Sequence, residues 1–339
     1  SPLNGDQPLT PTLKAPDGRP IYNQTGRNTY KGGLYTESGG ERDVWSVAFS
    51  RYFNDGDGSF SMGYTHQDIQ ELSGMASTTA NSSYGKYAAS DYNNRTAQRS
   101  IYETEHRFFA TASSTHYFLG ADKPTTFNLY FERKSGLPGT YSWDTYTSRN
   151  YGGTAYQREA FGYEKNLNDD SSHLLYVPSG VSDPNVCWGS CAAPDLAIAA
   201  QVLDTLYNKL GLQGYAGQIV PNGVYEYPWR TSLDLKITQI LPGFRAEDEF
   251  VISLGIMNLL NLIDSNKGEA KYGPYNGKMA VLDMYMNEDF TKYIYPNYKG
   301  RGYPDYAYGY NSSNPKGIRK SAVNSIWRAQ LGFTYKFSF

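Results

Sequence analysis

From Trp327 to Phe339 the chain alternates without a break: Trp, Ala, Leu, Phe, Tyr, Phe and Phe stand at odd positions, Arg, Gln, Gly, Thr, Lys and Ser between them. A period of two sends successive side chains to opposite faces of a strand. One face of this tail is therefore wholly apolar and ends in aromatics. In a water-soluble sandwich that face would meet a core; in a membrane barrel it would meet lipid, with aromatic girdles at both interfaces and a polar lumen-facing side. The alternation suits either architecture, and the crowding of aromatics toward Phe339 favours the barrel.

Composition narrows the choice. No stretch approaches the roughly 18 uninterrupted apolar residues that a membrane helix needs, and the mean hydropathy of −0.60 excludes a bundle of such helices. It does not exclude a barrel, whose lumen and loops are polar. The 32 tyrosines among 339 residues suit both strands and interfacial belts. A formal net charge of −2 argues for neither nucleic acid nor an acidic-lipid anchor as partner. Ser1 to Asp6 reads as the middle of a loop, so the chain is expected to be a fragment.

Seven segments suit strands: 42–53, 58–72, 103–118, 124–134, 226–241, 249–263 and 325–339. The clearest is 226–241, where Trp229, Thr231, Leu233, Leu235 and Ile237 alternate with Arg230, Ser232, Asp234, Lys236 and Thr238. Connections alternate too. Short ones at 54–57, 119–123 and 242–248 intervene between long ones at 73–102, 135–225 and 264–324, as periplasmic turns and external loops do in a barrel. With Phe339 periplasmic, residues 1–41 fall in an external loop. Seven strands leave two open edges, which hydrocarbon does not tolerate, so further strands are expected upstream. The fold expected is all-β: the C-terminal third of a larger antiparallel transmembrane β-barrel, over 42–339, with long external loops.

Within those loops, Pro194-Asp195 opens a helix-like run through Leu196, Ala199, Ala200, Leu203, Leu206, Tyr207 and Leu210, stopped by Gly211. It reads as a helix packed over the barrel mouth, or as one docking a partner. Cys187 and Cys191 read as a small disulfide staple of an oxidising compartment. The loop 264–324 is crowded with tyrosine, whose rigid amphipathic ring suits binding surfaces but equally packs a large loop. The candidate substrate-contacting residues are Tyr141, Trp143, Tyr146, Trp188, Tyr293, Tyr295, Tyr303, Tyr306 and Tyr308. The candidate lumen-facing set is Arg230, Asp234, Lys236, Arg328 and Gln330, positioned to meet a plug or, in an open pore, to select ions.

Several segments together resemble TonB-dependent outer-membrane receptors, particularly the Oar-like branch. They are Tyr227-Pro228-Trp229-Arg230-Thr231-Ser232-Leu233-Asp234-Leu235 with Gln239, Met257-Asn258-Leu259-Leu260-Asn261, His173 to Ser179, Glu105-His106-Arg107-Phe108, and the terminal Phe339. Their order and spacing carry the likeness over 42–339. The resemblance implies a 22-stranded barrel of the Gram-negative outer membrane, of which these would be the last seven strands, with an N-terminal plug in its lumen. It implies capture of a nutrient at the cell surface and import driven by the TonB complex. Implied partners are outer-membrane lipid, upstream strands and plug, the barrel-assembly machinery and a surface lipoprotein. No plug or TonB box stands in this sequence. A barrel-anchored adhesion protein and an unplugged diffusion porin are the alternatives.

Other chemistries find little footing. Asn54-Asp55-Gly56-Asp57-Gly58 looks like half a calcium loop, but Phe60 and His66 stand where a glycine and an acid are needed, and a hairpin turn explains it better. Calcium on external acids such as Asp169, Asp170 or Asp183 stays open; otherwise no cofactor or metal is expected. Asp170-Ser171-Ser172-His173 has the residue types of a hydrolytic triad, but neighbours along a loop do not make one. No enzyme activity is expected.

Overall fold

The computed structural model describes residues 13–21, 39–72, 78, 83, 88–91, 94–144, 173–245, 247–273, 277–287, 289–295 and 317–337. Seven long strands dominate it: β1 (Glu41–Phe53), β2 (Gly58–Glu71), β3 (His106–His116), β4 (Thr125–Lys134), β5 (Arg230–Pro242), β6 (Glu249–Met257) and β7 (Arg328–Lys336). Each pairs antiparallel with its neighbours in the chain, so the sheet is a simple meander from β1 to β7, with the short strand Gln98–Arg99 added beside β2. It is an open sheet: among the described residues nothing pairs with the outer side of β1 or β7.

Register lines up like with like. Leu235, Leu129, Ala112 and Phe60 form one cross-strand row, and Lys236, Asn128, Ser113 and Ser59 form the next on the opposite face. The two periodicities expected from sequence thus coincide across strands. Gly63 lies opposite Phe109 on the polar face, and a Cβ there would meet the Phe109 ring at 2.5 Å. The glycine lets the ring lie flat on the backbone. The β1–β2 turn runs through Asn54, Asp55 and Gly56, all at positive φ, which Asn, Asp and Gly tolerate best.

Strand ends differ from expectation. The segment 249–263 stops as a strand at Met257. Asn258 enters the left-handed region (φ 57), donates its N–H to Asp234 at 2.7 Å, and a short helix Leu259–Ile263 follows. The segment 226–241 splits: Tyr225–Glu226 pairs with Pro138 and Gly139, and β5 starts only at Arg230. The run 325–339 is preceded by a helix, Ala322–Ser325, capped by Ser321, and Phe339 lies outside the described residues.

The hydrophobic core is not in the sheet. No apolar side chain of β1–β7 is buried; among the described residues the core is drawn from the connections and from Ala15 and Ile21 ahead of β1. The described parts of the three long connections lie at one end of the sheet and, with residues 13–21, fold into a cap. There Pro138–Asp144 runs parallel to Lys278–Asp283, and Val186–Trp188 runs parallel to Tyr293–Tyr295. Ala89 bridges to His173, and Arg19 donates to the Leu174 carbonyl at 2.6 Å. The expected helix is present as α1 (Leu196–Leu203), continued by a wider turn through Asp204–Lys209 and ended at Gly211. Asp195 is its N-cap, accepting from Ala197 N–H, so Pro194 precedes the helix instead of opening it. The buried face centres on Ile198, Ala199, Val202 and Leu206, and Leu196, expected inside, is exposed. The helix packs inside the cap.

Candidate functional site

Two surfaces and one side-chain cluster carry the chemistry. The polar face of the sheet forms a 490 Å³ trough, lined by Thr111, Ser113, Asn128, Asp234, Lys236 and Gln330 among others. Register places Lys236 opposite Gly255, and Gly255 opposite Gln330, so that no side chain intervenes between the lysine and the glutamine. Arg230, Asp234 and Arg328 line a second, smaller recess beside the Asn258 turn. All five expected lumen-facing residues therefore share one face, which is what the even parity of the strands requires.

The other face is apolar and uncovered. Val47 (61 % exposed), Phe49, Leu331 and Phe333 (61 %) lie in the open, as do Trp45 and Met62. No second sheet packs on β7 among the described residues. Aromatics gather at both ends of this face: Trp45, Tyr64, Phe108 and Trp229 toward the cap, Phe53, Phe118, Tyr335 and Phe337 away from it. The charged side chains of this parity, Glu41, Asp43, Arg51, Asp68 and Arg133, are near the ends too.

The cap interior corrects an expectation. Tyr141, Trp143, Trp188, Tyr293 and Tyr295 are at most 2 % exposed, so they form packed core and not a surface open to substrate. The reason is that the polar tips of Trp143, Trp188, Tyr293 and Tyr295 find partners inside, which makes burial of an amphipathic ring affordable. Tyr295 donates to the Tyr176 carbonyl at 3.0 Å, the Trp143 N–H donates to Tyr295, and the Trp188 N–H donates to the Val181 carbonyl. Trp143 packs on Tyr293 with centroids 4.8 Å apart, and the Arg19 guanidinium lies 4.6 Å over Trp143. Tyr146, Tyr303, Tyr306 and Tyr308 lie outside the described residues. Burial raises the phenol pKa of Tyr293 and Tyr295 and pushes Tyr176 up to about 12.

Cys187 and Cys191 form a disulfide with Cα atoms 4.9 Å apart, in the turn between Val186–Trp188 and α1. The Asp183 carboxylate accepts from Tyr176 and from the Ser179 and Asn185 amides, which commits it to holding a loop. Asp57 accepts from the Tyr117 hydroxyl. Asp169, Asp170, Ser171 and Ser172 lie outside the described residues, and His173 is buried in the cap beside Trp143.

At the rim, Arg99 gathers three carboxylates: Glu103 at 2.5 Å, Glu105 at 2.7 Å and Glu226 at 2.8 Å. This ties the connection after β2 to the one that enters β5. Burial and the neighbouring Glu226 raise the Glu105 carboxyl, whereas for Glu226 the Arg99 hydrogen bond and charge outweigh burial and hold it low. Next to Glu105 stand His106, with Nε2 3.2 Å from its carboxylate, and His66 on the adjacent strand. Sequence reasoning missed this cluster. Glu226 is 127 residues from Arg99, and no local spacing announces such a meeting.

No family model matches this chain. No curated protein or solved structure matches it either.

Proposed function

We propose that this chain is part of an outer-membrane β-barrel that serves as a TonB-dependent transporter. The observation that carries the membrane half is the uncovered apolar face running across all seven strands. Strands of 9 to 14 residues suit the roughly 9–11 that cross a bilayer at a tilt. An apolar band flanked by aromatics is what lipid requires, and long cationic side chains near its ends can snorkel to the interface. A soluble protein leaving so continuous a patch in water would aggregate. The open outer sides of β1 and β7 then call for further strands, because unpaired backbone is not tolerated in hydrocarbon.

Transport rests on the resemblance to Oar-like receptors together with two features of the molecule. The polar face offers Arg230, Asp234, Lys236, Arg328 and Gln330 as partners for a plug. The packed cap at one end suits a gated mouth better than a freely open pore. Substrate capture then falls to Tyr146, Tyr303, Tyr306 and Tyr308, which belong to the long connections of the sequence.

Uptake of labelled medium components by cells that make the protein, compared with cells that lack it, tests the proposal. Protein-dependent uptake should collapse when a protonophore removes the proton-motive force. The triple variant Tyr303→Ala, Tyr306→Ala, Tyr308→Ala should lose at least about tenfold in uptake, since stacked aromatics are each worth roughly 1–3 kcal/mol when truncated, with unchanged protein in the outer membrane. Uptake indifferent to the protonophore, with steady conductance in planar bilayers, would turn the reading to a diffusion porin. Cell adherence without uptake would turn it to a surface-interaction protein.

A further inference from the structure

At the cap-side rim, His66 on β2 stands directly opposite His106 on β3, their rings 5.2 Å apart and inclined by 30°. Glu105 immediately precedes β3, and its carbonyl is held by the Gln67 N–H. One ring nitrogen from each histidine and one carboxylate oxygen of Glu105 lie within 4.8 Å of one another. Two imidazoles and a carboxylate are the donor set of a zinc site that keeps one position open. The separation of 3.2 Å between His106 Nε2 and Glu105 Oε1 already matches the roughly 3.3 Å between two ligands of a tetrahedral Zn²⁺ with bonds of about 2.0–2.1 Å.

Three further observations separate this arrangement from an ordinary ion pair. The Tyr64 hydroxyl sits 2.8 Å from His106 Nδ1; with the proton on Nδ1, the hydroxyl accepts it and Nε2 turns its lone pair toward Glu105. Arg99 holds the other Glu105 oxygen at 2.7 Å. Both are the outer contacts that orient metal ligands. His66 Nδ1 is buried and makes no hydrogen bond among the described residues, and an unsatisfied buried nitrogen is unfavourable unless something takes its lone pair. The cations nearby are Arg99, which is shared with Glu103 and Glu226, and Arg133, which lies over Trp229.

We infer that His66, His106 and Glu105 form a binding site for a divalent transition metal of the zinc type, which clips β2 to β3 and fastens the connection entering β3. The two histidines lie on the apolar-parity face at its aromatic border, between Trp45 and Trp229 in a row of contacting rings. The site stands independently of the transport reading.

Titration of the intact, chelator-stripped protein in detergent with ZnCl₂ alone tests it. At pH 7.5 calorimetry should show Zn²⁺ bound by this chain at micromolar concentration. Binding should vanish at pH 5, where imidazoles protonate, and excess CaCl₂ should not displace Zn²⁺, since imidazole is a poor ligand for calcium. His66→Gln, His106→Gln and Glu105→Gln should each weaken binding at least tenfold, with native mobility on heat-modifiability gels reporting an intact sheet. X-ray absorption of the Zn-loaded wild type, which needs no variant to fold, should give two imidazole ligands. Absence of Zn²⁺ binding at pH 7.5, an imidazole count other than two, or equal affinity in the double histidine variant would overturn the inference.

Discussion

Asp17 and Arg19 show how tightly the cap is specified by single side chains. Both are almost fully buried, with the guanidinium gripping the carboxylate at 2.6 and 2.9 Å and spanning to Leu174 and Tyr293. Burial works to raise the Asp17 pKa, but the charge and hydrogen bonds of Arg19 outweigh it, so the carboxyl titrates below its ordinary value. A depressed pKa means that the stabilisation is complete above the unfolded-state value near 3.8 and is lost as pH falls through the folded one. Hydrogen exchange of the cap should therefore stay slow from neutral pH down to about pH 4 and accelerate below it. Asp17→Asn should remove that acid transition and destabilise the cap by about 3–5 kcal/mol, because it leaves a buried guanidinium without its counter-charge; an unchanged acid profile in the variant would refute the assignment. None of this was readable in the sequence. Asp17 is two residues from Arg19, but the other partners, Leu174 and Tyr293, which bury the pair, stand 155 and 274 residues away. The aromatics were misread for a related reason: tyrosine signals an amphipathic position, but only the fold decides whether its hydroxyl meets water or a partner such as the Tyr176 carbonyl.

The strands were the most readable elements, because parity is a local property and each of the seven carries it in its own residues. Their ends were not. Where β6 stops depends on Asn258 turning left-handed and reaching Asp234 on the neighbouring strand, and where β5 starts depends on Tyr225–Glu226 being claimed by Pro138 and Gly139. The helix was readable by its start at Pro194-Asp195 and its Gly stop, and Ala199 and Leu206 are buried as expected; that Ile198 and Val202 join them while Leu196 stays exposed was not readable, since what covers that face comes from distant segments. The disulfide was readable from spacing and belongs to the same body. Closing so short a loop restricts the unfolded chain modestly, by about 2 kcal/mol. Replacing both Cys187 and Cys191 with Ala should thus lower cap stability by that amount, seen as faster exchange in Val186–Trp188 and α1, and should leave exchange in β1–β7 unchanged. Loss of protection in the strands would show that cap and sheet are not separable.

For the molecule as a whole, the division of labour between sheet and cap is the main result. Among the described residues, packing of the kind that holds an ordinary domain together is confined to the connections and residues 13–21, and no layer of protein covers the greasy or the polar face of the sheet. Water is a poor solvent for the first. Under the proposed function acyl chains cover the first and an enclosed polar interior receives the second, and site-directed spin labelling of the full protein in liposomes measures this most directly. Nitroxides at Val47, Ile252 and Leu331 should be relaxed by dissolved oxygen and shielded from a water-soluble nickel chelate. Those at Ser113, Asn128 and Gln330 should lose that oxygen preference. A two-residue alternation of oxygen access along β1, β6 and β7 is the predicted result; labels on the apolar positions that are inaccessible to oxygen and immobilised by protein contact would contradict it.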